Sequence, residues 1–256
     1  MTHQNVDGVV VRRVPFKESD LIVTLITKEM GKISAIARGA RKSKKRFGAT
    51  LDHFAHSKFQ LSEHRKGDLH NLLSAQTLEI FTNLNFDLAS VAHAGYVTEI
   101  TRELLPQEFP EPEIYHLLAV FLGKLDVEGA TSLRLRKFEM ELLDTLGFLP
   151  EFENCQICGA LLGAAMVSAA ENVVACKTCG LEEMLPDALR LNAEEINFLR
   201  LLRATESLEI PKTEQNHGDG SHFRQLFYKI ITSHLSKPLK SIEFLAKLRT
   251  GLEARV

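Results

Sequence analysis

The feature that most constrains this chain is the placement of its cysteines. All four lie between positions 155 and 179 of a 256-residue sequence, as Cys155-Gln156-Ile157-Cys158-Gly159 and, with 17 residues between Cys158 and Cys176, Cys176-Lys177-Thr178-Cys179-Gly180. Two thiolates three positions apart can turn onto one cation, and the glycine after each pair suits the tight positive-φ bend of such a knuckle. Two knuckles complete a tetrahedral set of four sulfurs. Zinc is the expected occupant, and because four thiolates leave no position for an activated water, its expected role is structural. An iron–sulfur cluster would use the same ligands, and Cys-x-x-Cys is also a redox motif, although the βαβ setting of thioredoxin-like chemistry is not visible around it. Four cysteines are too few for a disulfide framework, which points to a reducing compartment.

Ahead of the cysteines the hydrophobic period changes once. The first eighty residues read as short strands: Val6–Val11, then the β-branched run Leu21–Ile26, a turn at Lys28-Glu29-Met30-Gly31-Lys32, and Ile33–Ala37. Phe54–Leu61 alternates on one face, Glu63–Asp68 reads as a turn, and Leu69–Leu78 closes the set. Five short strands suit a small barrel such as the OB-fold, which also supplies a nucleic-acid-binding face. From Asp87, a plausible N-cap, the period becomes helical through Leu88, Val91, Ala92, Tyr96, Ile100 and Leu104 until the break at Pro106. Further helices are predicted over Glu111–Leu125, Ser132–Leu146, from a capping box at Asn192-Ala193-Glu194-Glu195, and over Phe223–Leu235 and Ile242–Leu252, with a polar loop at Pro211–Gly220. The Leu161–Val174 stretch between the knuckles is apolar and small, and reads as packing.

The predicted architecture is therefore α+β and multi-domain. It has an OB-fold-like β-barrel for nucleic acid at 1–80, a helical bundle body at 81–150 and 182–256, and a four-cysteine zinc-knuckle insertion at 151–181.

Charge divides along the same line. Residues 1–80 hold 14 Lys and Arg against 8 Asp and Glu, a net of +6, whereas the remainder carries 17 against 25, a net of −8. A basic module on an acidic body is a footprint of nucleic-acid binding. Its centre is Arg38-Gly39-Ala40-Arg41-Lys42-Ser43-Lys44-Lys45-Arg46, with six cations in nine positions and no Asp or Glu from Lys32 to Thr50. Directly after the third strand, Arg38, Arg41, Lys42, Lys44, Lys45 and Arg46 can reach several phosphates without choosing a sequence. A solvated charge run is the competing explanation, weakened by the uncompensated repulsion within it. Arg12, Arg13 and Lys17 extend the patch or protect a strand edge. Among aromatic candidates for stacking on bases, Phe16, Phe47 and Phe59, the last alternates with core positions, and Phe47, between Arg46 and Gly48, is the expected surface ring.

No catalytic constellation emerges. Phosphate-binding glycine loops and His-Glu-x-x-His are absent, and His53, His56, His64 and His70 offer no clear ligand spacing, so they read as surface or turn residues. No apolar run approaches the roughly 18 residues of a membrane span, and Arg12-Arg13 near the start argues against a secretory signal, so a soluble intracellular protein is expected.

Lys17-Glu18-Ser19-Asp20-Leu21, Thr27-Lys28-Glu29-Met30-Gly31-Lys32-Ile33-Ser34 and Ala37-Arg38-Gly39-Ala40-Arg41-Lys42-Ser43 together resemble the N-terminal domain of the bacterial RecO family of DNA repair proteins. The order of parts is similar too: barrel, helical body, Leu146-Gly147-Phe148 leading to the paired knuckles, and Leu239-Lys240-Ser241 before the final helix. The resemblance implies a recombination mediator of the RecF pathway, not an enzyme. Such a protein binds single- and double-stranded DNA, anneals complementary strands, engages the C-terminal tail of single-stranded DNA-binding protein, and with RecR helps load RecA. It implies DNA contact by the six cations of the 38–46 loop, a location in the cytoplasm at the nucleoid, and a purely architectural metal. Arg134, Arg136 and Lys137 offer a place for an acidic, aromatic-tipped peptide, or else a solvated helix face. A zinc-containing RNA-binding factor of translation or ribosome assembly is the alternative, since it would use the same barrel and knuckles.

Overall fold

The computed structural model describes residues 3–43, 45–180, 188–205, 208 and 223–253. Its first strand, β1 (His3–Phe16), is 14 residues long because it serves two neighbours in turn. It pairs antiparallel with β4 (His56–Lys66) from His3 to Val9 and with β2 (Asp20–Thr27) from Gly8 to Phe16. A bulge between Val10 and Arg12 adds the bend that this change of partner needs. The remaining strands, β3 (Gly31–Ala37) and β5 (Leu69–Glu79), complete a closed barrel in the order β1-β2-β3-β5-β4, with β3 and β5 parallel. Closure removes the exposed strand edges of an open sheet. The predicted OB-like barrel is thus present, although β4 continues through the segment read as a turn and reverses at Gly67-Asp68.

Val6, Val10, Val23, Leu25, Ile33, Phe59 and Leu61 fill the barrel. The connection from β3 to β4 folds through a 3-10 turn at Gly48–Leu51 and drops Phe47 and Leu51 into this core. Phe47 is only 3% exposed, which overturns the expectation of a surface ring. Burying an aromatic of this size stabilises by about 2–3 kcal/mol, and that gain outweighs the polarity of its neighbours in sequence.

The chain gathers into two compact units, Met1–Gly129 with Leu239–Val256, and Ala130–Pro238. In the first, α1 (Leu88–Leu104) starts at Asp87, whose carboxylate accepts the backbone N–H groups of Ala89 and Ser90, and α2 (Pro112–Glu128) has proline in its first turn. Both helices pack on β1.

In the second unit, α3 (Ser132–Thr145) is buried nearly all round. Arg134, Arg136 and Lys137 are 8%, 5% and 2% exposed, so they form neither a solvated face nor an open peptide seat. Arg136 pairs with Glu139 at 3.0 Å, and Lys137 reaches Glu141 at 3.1 Å. The Leu161–Val174 stretch packs in an ordered way, with Leu162, Ala165, Met166, Val167 and Val174 buried. It forms β6 (Ala165–Ser168), which lies between β7 (Val173–Cys176) and β8 (Leu189–Leu191). Strands of three or four residues are too short to show a period. The capping box at Asn192 opens α4 (Ala193–Ala204) as predicted, and α5 is Arg224–Ser233. The last helix, α6 (Ser241–Glu253), belongs to the first unit and packs on α1. The Pro211–Gly220 loop lies outside the described residues.

Candidate nucleic-acid interface and metal centre

The basic loop leaves the barrel at the end of β3 and is held by its backbone rather than by ion pairs. Asp20 Oδ1 accepts the N–H of Gly39 at 2.8 Å, and Ser19 O accepts that of Arg41 at 3.0 Å, which fastens the loop to the β1–β2 hairpin. Arg38, Arg41, Lys42, Lys45 and Arg46 are all exposed, and none makes an ion pair among the described residues; Lys44 lies outside them. Two of the five also shape the loop. Arg41 donates to Glu18 O at 3.2 Å, and Arg46 donates to Arg38 O at 2.5 Å while lying 5.0 Å from the centroid of the Phe47 ring. A guanidinium that uses one or two N–H donors in this way keeps others for an anion. Of the flanking cations, Arg13 is taken by Asp52, whereas Arg12 and Lys17 remain exposed.

Of His53, His56, His64 and His70, two are engaged within the structure. His56 is bonded to Tyr115 Oη at 2.7 Å and Glu79 Oε2 at 3.2 Å, and His70 lies 3.4 Å from Glu108. Burial first, then the charges of Asp7 and Glu29, push the Tyr115 hydroxyl up to about 12, so it stays neutral in this contact. The side chain of His64 lies outside the described residues. His53 titrates below the usual histidine range because of burial and the nearby Arg13 charge.

The four cysteine sulfurs converge as the spacing predicted, all within 4.8 Å of one another. Cys158 Sγ and Cys176 Sγ are 3.8 Å apart. A tetrahedron of sulfurs each about 2.3 Å from a zinc ion has edges of about 3.8 Å, so the donor set fits that metal. Each knuckle is closed by its own turn: Gly159 N–H donates to Cys155 O at 2.8 Å, and Gly180 N–H donates to Cys176 O at 2.8 Å. The two glycines are needed for different reasons. Gly159 has φ of +75°, whereas a Cβ on Gly180 would come within 2.7 Å of Met166 Cβ on β6.

Four thiols this close oppose one another's ionisation. Burial opposes ionisation of Cys155, but hydrogen bonds from the backbone of Cys176, Cys158 and Ile157 bring it down to about 6. Hydrogen bonds with the Cys158 and Cys176 thiols push Cys179 up to about 12. A divalent cation among the sulfurs inverts that balance and favours four thiolates. Cys155 is buried, Cys158 exposed and the other two half-buried. Arg200 of α4 ties the first knuckle down, donating to Phe152 O at 2.7 Å and Leu162 O at 2.9 Å.

Residues 1–81 match the family described as Recombination protein O N terminal, and residues 85–243 match Recombination protein O C terminal. The chain belongs to the RecO family. It is 35% identical to the DNA repair protein RecO of Anaeromyxobacter dehalogenans strain 2CP-C, over 97% of this chain and 98% of that one. Identity with the DNA repair protein RecO of Geobacter sulfurreducens is 34%, over 94% and 97% of the two chains, and with that of Myxococcus xanthus 32%, over 94% and 96%. RecO membership fits the N-terminal barrel. Among the described residues, no helix is long and apolar enough to cross a membrane.

Proposed function

We propose that the protein is a recombination mediator that binds single- and double-stranded DNA, anneals complementary strands and, with RecR, helps load RecA onto DNA coated by single-stranded DNA-binding protein. The observation that carries this reading is the exposed run Arg38, Arg41, Lys42, Lys45 and Arg46, without ion pairs among the described residues, presented beside a barrel in a chain related to DNA repair proteins. Lys44 belongs to the same proposed surface by sequence. Cations held on a short tethered loop neutralise phosphates on either strand without reading bases, and lowering that repulsion lets two complementary strands meet. No bond is made or broken in such a step. The barrel, residues 1–80, is the proposed nucleic-acid-binding domain. The helices at 81–150 and 182–256, which divide between the two compact units, are the proposed contact for protein partners, and 151–181 the proposed metal-binding segment. The protein acts at the nucleoid.

Zinc is the proposed metal, held by Cys155, Cys158, Cys176 and Cys179. It supplies no chemistry beyond cross-linking the two knuckles, and four sulfurs leave it no place for substrate. Two measurements test the reading. Annealing of complementary strands should proceed without nucleotide, and the protein should be captured by single-stranded DNA-binding protein but not by a version lacking its terminal residues. Dependence on ATP hydrolysis, or a preference for folded RNA over single-stranded DNA, would overturn it.

A further inference from the structure

The outer face of the β1–β2–β3 sheet is covered at one end and open at the other. Leu21, Val23, Ala35 and Ala37 point into the barrel, so Ile22 and Ile36 between them point outward. The strand register aligns Val14 with Ile22 and Ile22 with Ile36, which makes one apolar row across three strands. Phe16 is two residues beyond Val14 on the same face, and Arg12 is two residues before it. Toward the other end of this face, Val9 and Ile26 are fully buried, on the two strands against which α2 packs. Among the described residues no such cover reaches the upper row: Val14 and Phe16 are each 37% exposed, and Ile22 and Ile36 are half-buried.

Charge surrounds the open end. Arg12 and Arg38 are exposed at its margins, and neither makes an ion pair among the described residues. Lys17, in the left-handed turn that follows Phe16, holds its Nζ 5.5 Å from the ring centroid. Of the two carboxylates at the hairpin tip, Asp20 is engaged by the N–H of Gly39, and Glu18 is exposed beside Arg41, which donates to its carbonyl. The basic loop is fastened to this same hairpin through Ser19 O.

We infer that the face built by Phe16, Val14, Ile22 and Ile36 is a platform for the unstacked bases of single-stranded nucleic acid. Phe16 is the stacking residue, and Arg12, Lys17 and Arg38 hold the phosphates on either side. An apolar row rimmed by exposed cations complements a ligand with flat apolar rings on an anionic backbone. A duplex hides those rings, and an acidic peptide has no ring at each repeat. Strands of an OB-like barrel commonly offer this face to oligonucleotides, and stacking there is tolerant of sequence. The inference rests on the proposal that the barrel binds DNA, and deepens it by separating where bases lie from where phosphates are merely neutralised.

The test compares an oligothymidine of about 20 nucleotides with an abasic strand of the same length, which carries the same phosphates and no rings. Binding is followed by anisotropy for the full-length protein and for Phe16→Ala and Phe16→Tyr. The parent should prefer the strand with bases by between about five- and about 150-fold, the range expected for one stacked base. Phe16→Ala should erase most of that preference without altering the salt dependence, and Phe16→Tyr should keep it. Because Phe16 is partly exposed at a hairpin tip, neither change threatens the barrel core. Equal affinity of the parent for both strands, or a preference that survives in Phe16→Ala, overturns the platform while leaving the phosphate-binding loop standing. Failure of the parent to bind either strand removes the DNA-binding reading itself. Changed self-association of Phe16→Ala with unchanged base preference assigns the face to a protein contact and also overturns the inference.

Discussion

Lys137 Nζ donates to the carbonyl oxygen of Thr205 at 2.6 Å, and a second bond to Leu202 O at 2.7 Å makes this side chain a plug for the C-terminus of α4. A helix end leaves carbonyls without partners, and a buried ammonium satisfies two of them while offsetting the negative end of the helix dipole. Lys137→Met keeps the aliphatic stem and removes the donors. It should destabilise the second unit by about 2–3 kcal/mol, measured as a lower denaturant midpoint. Affinity for single strands should stay within about twofold of the parent, since Lys137 is not available to phosphate.

Replacing Lys42 and Lys45 with alanine should weaken binding to all single-stranded sequences alike. With each phosphate contact adding about −0.7 to the slope of log affinity against log salt, the double variant should flatten that slope by about 1.4. An unchanged slope would take both residues out of the interface. These two are a cleaner choice than Arg46, whose guanidinium also bonds Arg38 O and covers Phe47.

Elemental analysis should find one zinc per chain. Chelation, or Cys176→Ser, should release it and open the segment from Cys155 to Gly180 to protease, because metal binding and local folding are the same event at such sites. The barrel lies in the other compact unit, so affinity for single strands should change by less than about threefold. A serine variant that retained full metal would show that these sulfurs are not the ligands.

Asp87 caps α1 with its carboxylate, and its titration is pulled below the usual range mainly by the hydrogen bond from the Ser90 hydroxyl. A carboxyl depressed in the folded state contributes stability above its unfolded value near 3.8, and that contribution disappears as pH falls through the lower folded value. Asp87→Ala should therefore cost about 1 kcal/mol at neutral pH and progressively less in strong acid, whereas Asp87→Asn should retain most of the cap. Urea melts at about pH 7 and about pH 2.5 distinguish the two, and an Ala penalty independent of pH would contradict the role of charge.

The cysteine cluster, the barrel and the capped starts of α1 and α4 were legible because each rests on local spacing or on a strong residue preference. Side-chain destinations were less so. Phe47 sits among basic and glycine neighbours, and its descent into the barrel depends on the 3-10 turn that follows it. Arg136 and Lys137 resemble a solvated helix face in sequence, but their partners Glu139 and Glu141 lie one turn on, and the α4 carbonyls that Lys137 reaches come from about 65 residues away. The exposed row on β1, β2 and β3 could not be read from any single strand. It exists only through the register that aligns Val14, Ile22 and Ile36.

Glu99 of α1 receives the backbone N–H groups of Lys240 and Ser241, partners 141 and 142 positions later in the chain. The second unit is thus spliced into the first rather than appended to it. On the ribosome, the barrel and its two following helices emerge long before the helix that completes them, so the α1 surface stays uncovered while more than a hundred further residues are made. Closing so wide a loop is slow relative to local helix formation. Synthesis therefore passes through an interval in which the inserted half can fold before α6 covers α1.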